Sequence, residues 1–219
     1  MPKLLESVEL ETEANPHASV IWLHGLGADG NDFVPVVPEL GLQGKAVRFV
    51  FPHAPMQPVT INGGMVMRAW YDIIDAAIRR EDAAGVAASQ QHVEALIARE
   101  QGRGMPESRI VLAGFSQGGA IALHTGLRHE GRLAGILALS CYLPLADRLP
   151  AAASPLNRDV PIFMGHGKSD PIVPFPRAAE SRDFLQGMGY AIEWHEYPMP
   201  HSVCMEEIAD IGAWLQRLV

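Results

Sequence analysis

Gly114-Phe115-Ser116-Gln117-Gly118 sets a serine between two glycines, with Gly119 next, an apolar run before it and a helical pattern after it. A serine hydroxyl is a poor nucleophile. To attack a carbonyl carbon it must project clear of the backbone, where a base can take its proton. A sharp turn from strand to helix does this, and it crowds the flanking backbone until only glycine fits. The turn also puts Ser116 at a helix amino end, whose free N–H groups favour negative charge. Alone, the pentapeptide is weak: about one chain in ten of this Gly and Ser content carries it by chance. A Gly-rich helix start with a capping serine is the plainer reading. The strand before and the helix after favour the nucleophile.

Such a serine needs a histidine to accept its proton and an acid to fix the histidine's tautomer. In a doubly wound hydrolase arrangement these follow in the order serine, acid, histidine, each after a later strand. Of the downstream aspartates, Asp170 is placed right, in Gly165-His166-Gly167-Lys168-Ser169-Asp170-Pro171, leaving the apolar run 160–164. Asp159 precedes that run, while Asp183 and Asp210 fall inside helical patterns. An aspartate before proline is also an ordinary turn residue. Two histidines follow. His195 lies within the alternating strand Ile192-Glu193-Trp194-His195-Glu196-Tyr197 and reads as a solvated or locally bonded residue. His201 follows that strand in Pro198-Met199-Pro200-His201-Ser202, ahead of the last helix, where a base belongs. His24 and His166, beside glycines at strand ends, read as structural.

Ester cleavage puts negative charge on the carbonyl oxygen, and fixed backbone donors aimed at it give the largest single stabilisation in many enzymes. The N–H of Gln117 is one candidate donor. The other is the N–H of Leu26, in His24-Gly25-Leu26-Gly27-Ala28-Asp29-Gly30 after the run 18–23. Glycines 25, 27 and 30 also match the bare spacing of a dinucleotide-binding loop. The acid expected about 20 residues on is missing, because Phe51-Pro52-His53-Ala54 stands there.

The elements that must hold these loops are legible as a recurring pattern. Apolar runs at 18–23, 47–51, 109–115, 133–141, 160–164 and 191–197 alternate with helical patterns at 82–103, 117–128, 176–187 and 202–218. The first of these helices places Val86, Val93, Leu96 and Ile97 on one face, and Gly104 and Pro106 stop it. An alternation at Val8, Leu10 and Thr12 predicts an added edge strand. This is an α/β pattern: a mostly parallel central sheet with helices on both faces and its chemistry on loops at the carboxyl ends of strands. The 219 residues show no repeat or linker, so one domain over 1–219 is expected.

Composition narrows the function classes. With 48% apolar residues the chain can bury a core, and its net charge of −8 argues against a nucleic-acid partner. Two cysteines, Cys141 and Cys204, are too few for a disulfide framework or a thiolate zinc site, and both read as small apolar residues. The acidic amino-terminal segment builds no signal core, and no apolar stretch is long enough to span a membrane, so the expected location is cytoplasmic.

Taken together, Leu23-His24-Gly25-Leu26-Gly27-Ala28-Asp29, Asn62-Gly63-Gly64, Trp70-Tyr71-Asp72-Ile73, Gly114-Phe115-Ser116-Gln117-Gly118-Gly119 and Tyr197-Pro198-Met199 resemble the small bacterial carboxylesterases. These belong with the acyl-protein thioesterases and lysophospholipase-like hydrolases in the phospholipase/carboxylesterase family. The resemblance runs from Val20 to Trp214. It implies an α/β-hydrolase fold without a cofactor or metal, acting on a small-molecule carboxylic ester or thioester. By position it assigns Ser116, Asp170 and His201 to a catalytic triad, and Leu26 and Gln117 to the oxyanion hole. Two departures stand out. Where the family has glycine before the histidine, this chain has Pro200, which fixes φ and donates no N–H. Pro38 should shorten or kink the helix after the oxyanion loop.

Only about eighteen residues, 142–159, separate two strands, too few for a large cap domain, so an open site is expected. Met65, Met67, Trp70 and Tyr142 are candidate walls, with core packing an equal alternative for each, and a loop near 56–70 is a candidate acyl-binding segment. Short-to-medium-chain esters are the first expectation. Longer acyl thioesters or lysophospholipids are the second, and a noncatalytic binding protein on the same fold is a rival from another class. A homodimer is left open.

Overall fold

The computed structural model describes residues 4–75 and 80–219, so the first three residues of the acidic amino-terminal segment lie outside it. Seven strands form one sheet: β1 (Ser7–Glu11), β2 (Ala18–Leu23), β3 (Val47–Pro52), and later β6 (Ile110–Phe115), β7 (Gly135–Leu139), β8 (Ile162–Gly167) and β9 (Ile192–Tyr197). Their spatial order is β1-β3-β2-β6-β7-β8-β9, and only β1 runs antiparallel to its neighbour. The central strands read as unbroken apolar runs because helices cover both faces; all six residues of β2 are buried.

On one face lie α1 (Ala83–Gly102), α2 (Gln117–Gly126) and α4 (Phe175–Gly187), which follows the single turn α3 (Leu149–Ala152). Asp82 caps α1 by accepting the Gly85 N–H at 2.9 Å. On the other face, α5 (Met205–Gln216) buries Ile208, Ile211, Trp214 and Leu215 at helical spacing. Each such side chain contributes about 1.5–3 kcal/mol on leaving water. Beside α5 the segment Val34–Leu40 is a 3-10 helix rather than an α-helix, with Pro38 inside it and Gly41 closing it at φ 63°. Pro38 has the effect expected of it, since it removes a donor and blocks a regular helical turn.

The stretch 56–70 is not a loop. It forms a separate antiparallel hairpin of β4 (Met56–Val59) and β5 (Met65–Arg68), turned by Thr60–Asn62 and two positive-φ glycines, Gly63 and Gly64. The fold brings the working loops together through its register. Leu23 pairs with Gly114, Phe115 with Leu139 and Gly167 with Tyr197, so the carboxyl ends of β2, β6, β7, β8 and β9 open on one edge. Among the described residues, no helix is long and apolar enough to cross a membrane.

Candidate active site

Ser116 sits between β6 and α2 at φ 54° and ψ −121°, a conformation that costs a non-glycine residue about 1–3 kcal/mol. Its neighbours hold it there. The Ser116 N–H donates to the Leu139 carbonyl at 2.8 Å, and its own carbonyl accepts the Ala120 N–H at 3.0 Å. The flanking glycines are dictated by close approach. A Cβ on Gly114 would lie 2.3 Å from the Gly118 carbonyl, and one on Gly118 would lie 2.3 Å from the Leu23 carbonyl oxygen. Strand, turn and helix are therefore pressed together backbone to backbone, with the hydroxyl on the outside of the bend.

His201, from the loop between β9 and α5, places Nε2 2.9 Å from Ser116 Oγ and Nδ1 2.7 Å from Asp170 Oδ2. A carboxylate only accepts, so this bond fixes the proton on Nδ1 and leaves Nε2 free to take one from the serine. Asp170 is itself pinned. Its side chain is buried, and Oδ1 accepts the N–H groups of Ile172 at 2.8 Å and Val173 at 2.9 Å. Pro200 leaves this geometry intact, because neighbouring groups carry the turn: Ser202 N–H donates to the Pro200 carbonyl at 2.9 Å and Met199 N–H to Tyr197 at 2.9 Å. The Phe115 ring packs against His201 at 4.8 Å between centroids and holds its plane.

Leu26 and Gln117 line the same groove as Ser116. Gln117 opens α2, so its N–H has no partner within the helix. Its side chain has a separate task. The amide oxygen accepts the Trp70 N–H at 2.7 Å, and the amide nitrogen donates to the Tyr71 carbonyl at 2.6 Å. One residue further on, Asp72 accepts the backbone N–H of Thr60 at 2.7 Å and its hydroxyl at 2.6 Å, which ties the hairpin turn to the same segment.

The glycine loop after β2 is consumed by packing and turning. Gly27 has φ 77°, and a Cβ on Gly30 would meet the Phe51 carbonyl oxygen at 2.3 Å. The next helical segment is the 3-10 helix from Val34, so no α-helix amino end stands at Gly30 to receive a pyrophosphate. His24 and His166 are structural. His24 donates Nδ1–H to the Gly25 carbonyl at 2.7 Å and accepts the Ala54 N–H at 3.0 Å. His166 donates to the Val173 carbonyl at 2.9 Å and thereby braces the Asp170 loop. Burial lowers both imidazoles below their ordinary pKa, which keeps them neutral. His195 is bonded locally, between Glu193 and Asp210, each at 3.3 Å. Burial pushes the Cys141 thiol upward, in keeping with an inert apolar residue.

The groove measures about 360 Å³ and is walled by Ile61, Tyr71, Ile73, Tyr142, Ile172 and Val173. Of the four candidate wall residues, Tyr142 stands on it and three need correction. Trp70 is 1% exposed and lies in the core, its indole N–H given to the His24 carbonyl at 2.8 Å. Met65 is 64% exposed on the hairpin, away from the groove. Met67 packs toward Gly27, its sulfur 3.8 Å from where a Cβ would stand. Sequence reasoning did not single out Ile61, Ile73, Ile172 or Val173 as groove walls. The signal for the last two was their place directly after Asp170.

A larger open groove of about 420 Å³, between β1 and the 3-10 helix, is lined by Leu10, Thr12, Val37 and Gln43 and brings no nucleophile and base together. Among the described residues, no three His, Cys, Asp or Glu side chains cluster so as to hold a metal ion.

Both the sequence and the fold are similar to those of known proteins. Residues 6–219 match the profile of the phospholipase/carboxylesterase family. Acyl-protein thioesterase 1 of Cryptococcus neoformans is 39% identical over 235 residues, covering 99% of this chain and 99% of that protein. Acyl-protein thioesterase 1 of Neurospora crassa is 42% identical over 211 residues, covering 90% and 85%. The crystal structure of Zea mays acyl-protein thioesterase 2 superposes with a TM-score of 0.86 at 27% identity, covering 97% of this chain and 98% of that one.

Proposed function

The chain belongs to the phospholipase/carboxylesterase family of α/β hydrolases, and from that premise we propose that it is a serine carboxylesterase acting on short-to-medium-chain esters. The observation that carries the proposal is the relay at hydrogen-bond distance, from buried Asp170 through His201 to Ser116, at the end of an apolar groove. Residues 1–219 then act as one catalytic domain.

In this reading, His201 Nε2 takes the Ser116 proton as Oγ bonds to the substrate carbonyl carbon. The oxygen, now negative, is held by the N–H groups of Leu26 and Gln117. Collapse of the tetrahedral species breaks the carbon–oxygen bond, and His201 gives its proton to the departing alcohol. Water attacks the acyl-enzyme in the same way. Its proton passes to His201 and from there to Ser116 Oγ as the acid leaves. Asp170 keeps the imidazole in the right tautomer and balances its positive charge between these transfers. A thioester enters by the same steps with a thiol as leaving group. The names of the fungal relatives support that second reading.

The test is hydrolysis of 4-nitrophenyl acetate and butyrate by the wild type and Ser116→Ala, with circular dichroism on both. Turnover should vanish in a folded mutant. Equal slow rates in the two proteins would overturn the proposal in favour of a noncatalytic binding protein. A series of esters from C2 to C16, beside an acyl thioester, then separates the two enzyme readings: a maximum at or below about C8 is expected.

A further inference from the structure

The groove that Ser116 lines is apolar along most of its wall, but one part of that wall is not. Tyr71 and Tyr142 both line it, and their hydroxyls meet 3.1 Å apart. Two phenols in contact carry two hydrogens and can use only one between them. Among the described residues, neither hydroxyl has another hydrogen-bond partner, so one donor is left without an acceptor. Burial pushes Tyr142 up to about 12 and Tyr71 well above its ordinary range, so both stay protonated donors.

The Arg177 guanidinium lies against the same tyrosine, 4.4 Å from the centre of the Tyr142 ring. Arg48, Arg99 and Arg103 all reach the buried carboxylate of Glu100. Arg177 has no ion pair among the described residues, and its Nε is buried without a hydrogen-bond partner. Its place is fixed. It stands on the first turn of α4, four residues after the groove residue Val173. Ser181 Oγ accepts the Leu143 N–H at 3.0 Å and donates to the Arg177 carbonyl at 3.0 Å, joining the helix to the segment that carries Tyr142.

An unused phenolic hydrogen on the groove wall and an unpaired guanidinium thus meet around the ring of Tyr142, with Arg177 standing against that ring rather than among the lining residues. Glu81, whose charge acts on both tyrosines, accepts the Leu145 N–H at 3.2 Å and forms no pair with Arg177. Donors without acceptors at one place call for a ligand that supplies oxygen, and a guanidinium favours a carboxylate above a neutral group. We propose that Tyr71, Tyr142 and Arg177 form a subsite selecting acyl chains that end in a carboxylate, so that monoesters of dicarboxylic acids are preferred substrates. This rests on the serine-esterase reading above.

The test compares mono-(4-nitrophenyl) adipate and suberate with their methyl-capped diesters, which share leaving group and chain length. The readout is the ratio of kcat/KM for the free acid to that for the capped form, corrected for spontaneous hydrolysis. For at least one chain length the wild-type ratio should be about tenfold or more, the effect of one charge-assisted hydrogen bond. Arg177→Met should bring it to about one, Arg177→Lys should restore part of it, and Tyr71→Phe with Tyr142→Phe should lower it. Because the ratio is taken within one protein, a general loss of activity cancels. A wild-type ratio at or below one for both lengths, or a ratio unchanged in Arg177→Met, overturns the subsite while leaving the esterase intact. Should Arg177→Met not fold, the wild-type ratio and inhibition of 4-nitrophenyl butyrate hydrolysis by suberate against octanoate decide alone, with suberate expected to bind more tightly. Absence of turnover of every ester, butyrate included, overturns both proposals.

Discussion

Glu207 offers a sharp physical test because it is a carboxyl in the wrong solvent. It is fully buried on the first turn of α5, and neither of its oxygens has a hydrogen-bond partner among the described residues. It presses on β8 so closely that a Cβ on Gly165 would lie 2.2 Å from its Oε1. Burial, and secondarily the charge of Asp210, push its pKa up from 4.5 to about 8. The direction of the linkage follows. Between those values the folded chain keeps a proton that the unfolded chain has released, so stability is full below 4.5 and is lost as pH rises through about 8. Each pH unit inside that window costs about 1.4 kcal/mol. Glu207→Gln removes the titration and leaves the shape. Urea unfolding of both proteins between about pH 5 and pH 7 should therefore show the wild type losing about 2–3 kcal/mol relative to the glutamine variant. A difference that stays constant across that range would mean that Glu207 ionises in the folded protein, and the argument from burial would be wrong.

Three further perturbations probe other parts of the architecture. Ser116→Gly should abolish ester turnover yet raise stability by about 1–3 kcal/mol, since glycine adopts the φ of 54° without strain; a lower melting temperature would contradict this. Gly118→Ala drives a Cβ to 2.3 Å from the Leu23 carbonyl oxygen, where only backbone can give way, and should cost about 3 kcal/mol or more in urea unfolding. Glu100→Ala leaves Arg48 paired with Glu11 and Arg99 and Arg103 paired with Glu9, but it removes their shared buried partner and frees the Ser19 hydroxyl, which donates to Glu100 at 2.7 Å; a loss of about 1–3 kcal/mol is expected, and no loss would show that this cluster holds nothing together.

The sequence is most readable where local chemistry and global fold demand the same residues. The run 18–23 is apolar because both sheet faces are covered, and Gly114 and Gly118 are glycine because backbones touch there. Asp170 and His201 could be picked out by their positions after strands, with no knowledge of what faces them. What escaped notice depends on contacts between distant segments. Glu100 and Glu207 lie on helices whose charged residues read as solvated, and only tertiary packing buries them. The β4–β5 hairpin is hidden by Pro58 and by strands of four residues each, although Asn62-Gly63-Gly64 between two apolar runs was a turn signal. Trp70 looked like a wall because tryptophan suits either place, and its indole bond to His24 decides for the core.

The double duty of Gln117 has a consequence for how this groove can change. Gln117 lines the groove beside Ser116, while its side chain grips Trp70 and Tyr71, and the next residue, Asp72, grips Thr60 at the hairpin turn. The roof over the groove and the start of the helix behind the serine are therefore one linked mechanism. A substitution that lifts the hairpin to admit a bulkier chain also tugs on the residue beside Ser116. Breadth of substrate and speed of turnover cannot be adjusted separately here, and lineages or laboratories that widen the groove will have to re-tension that linkage at Asp72 or Gln117 to keep the rate.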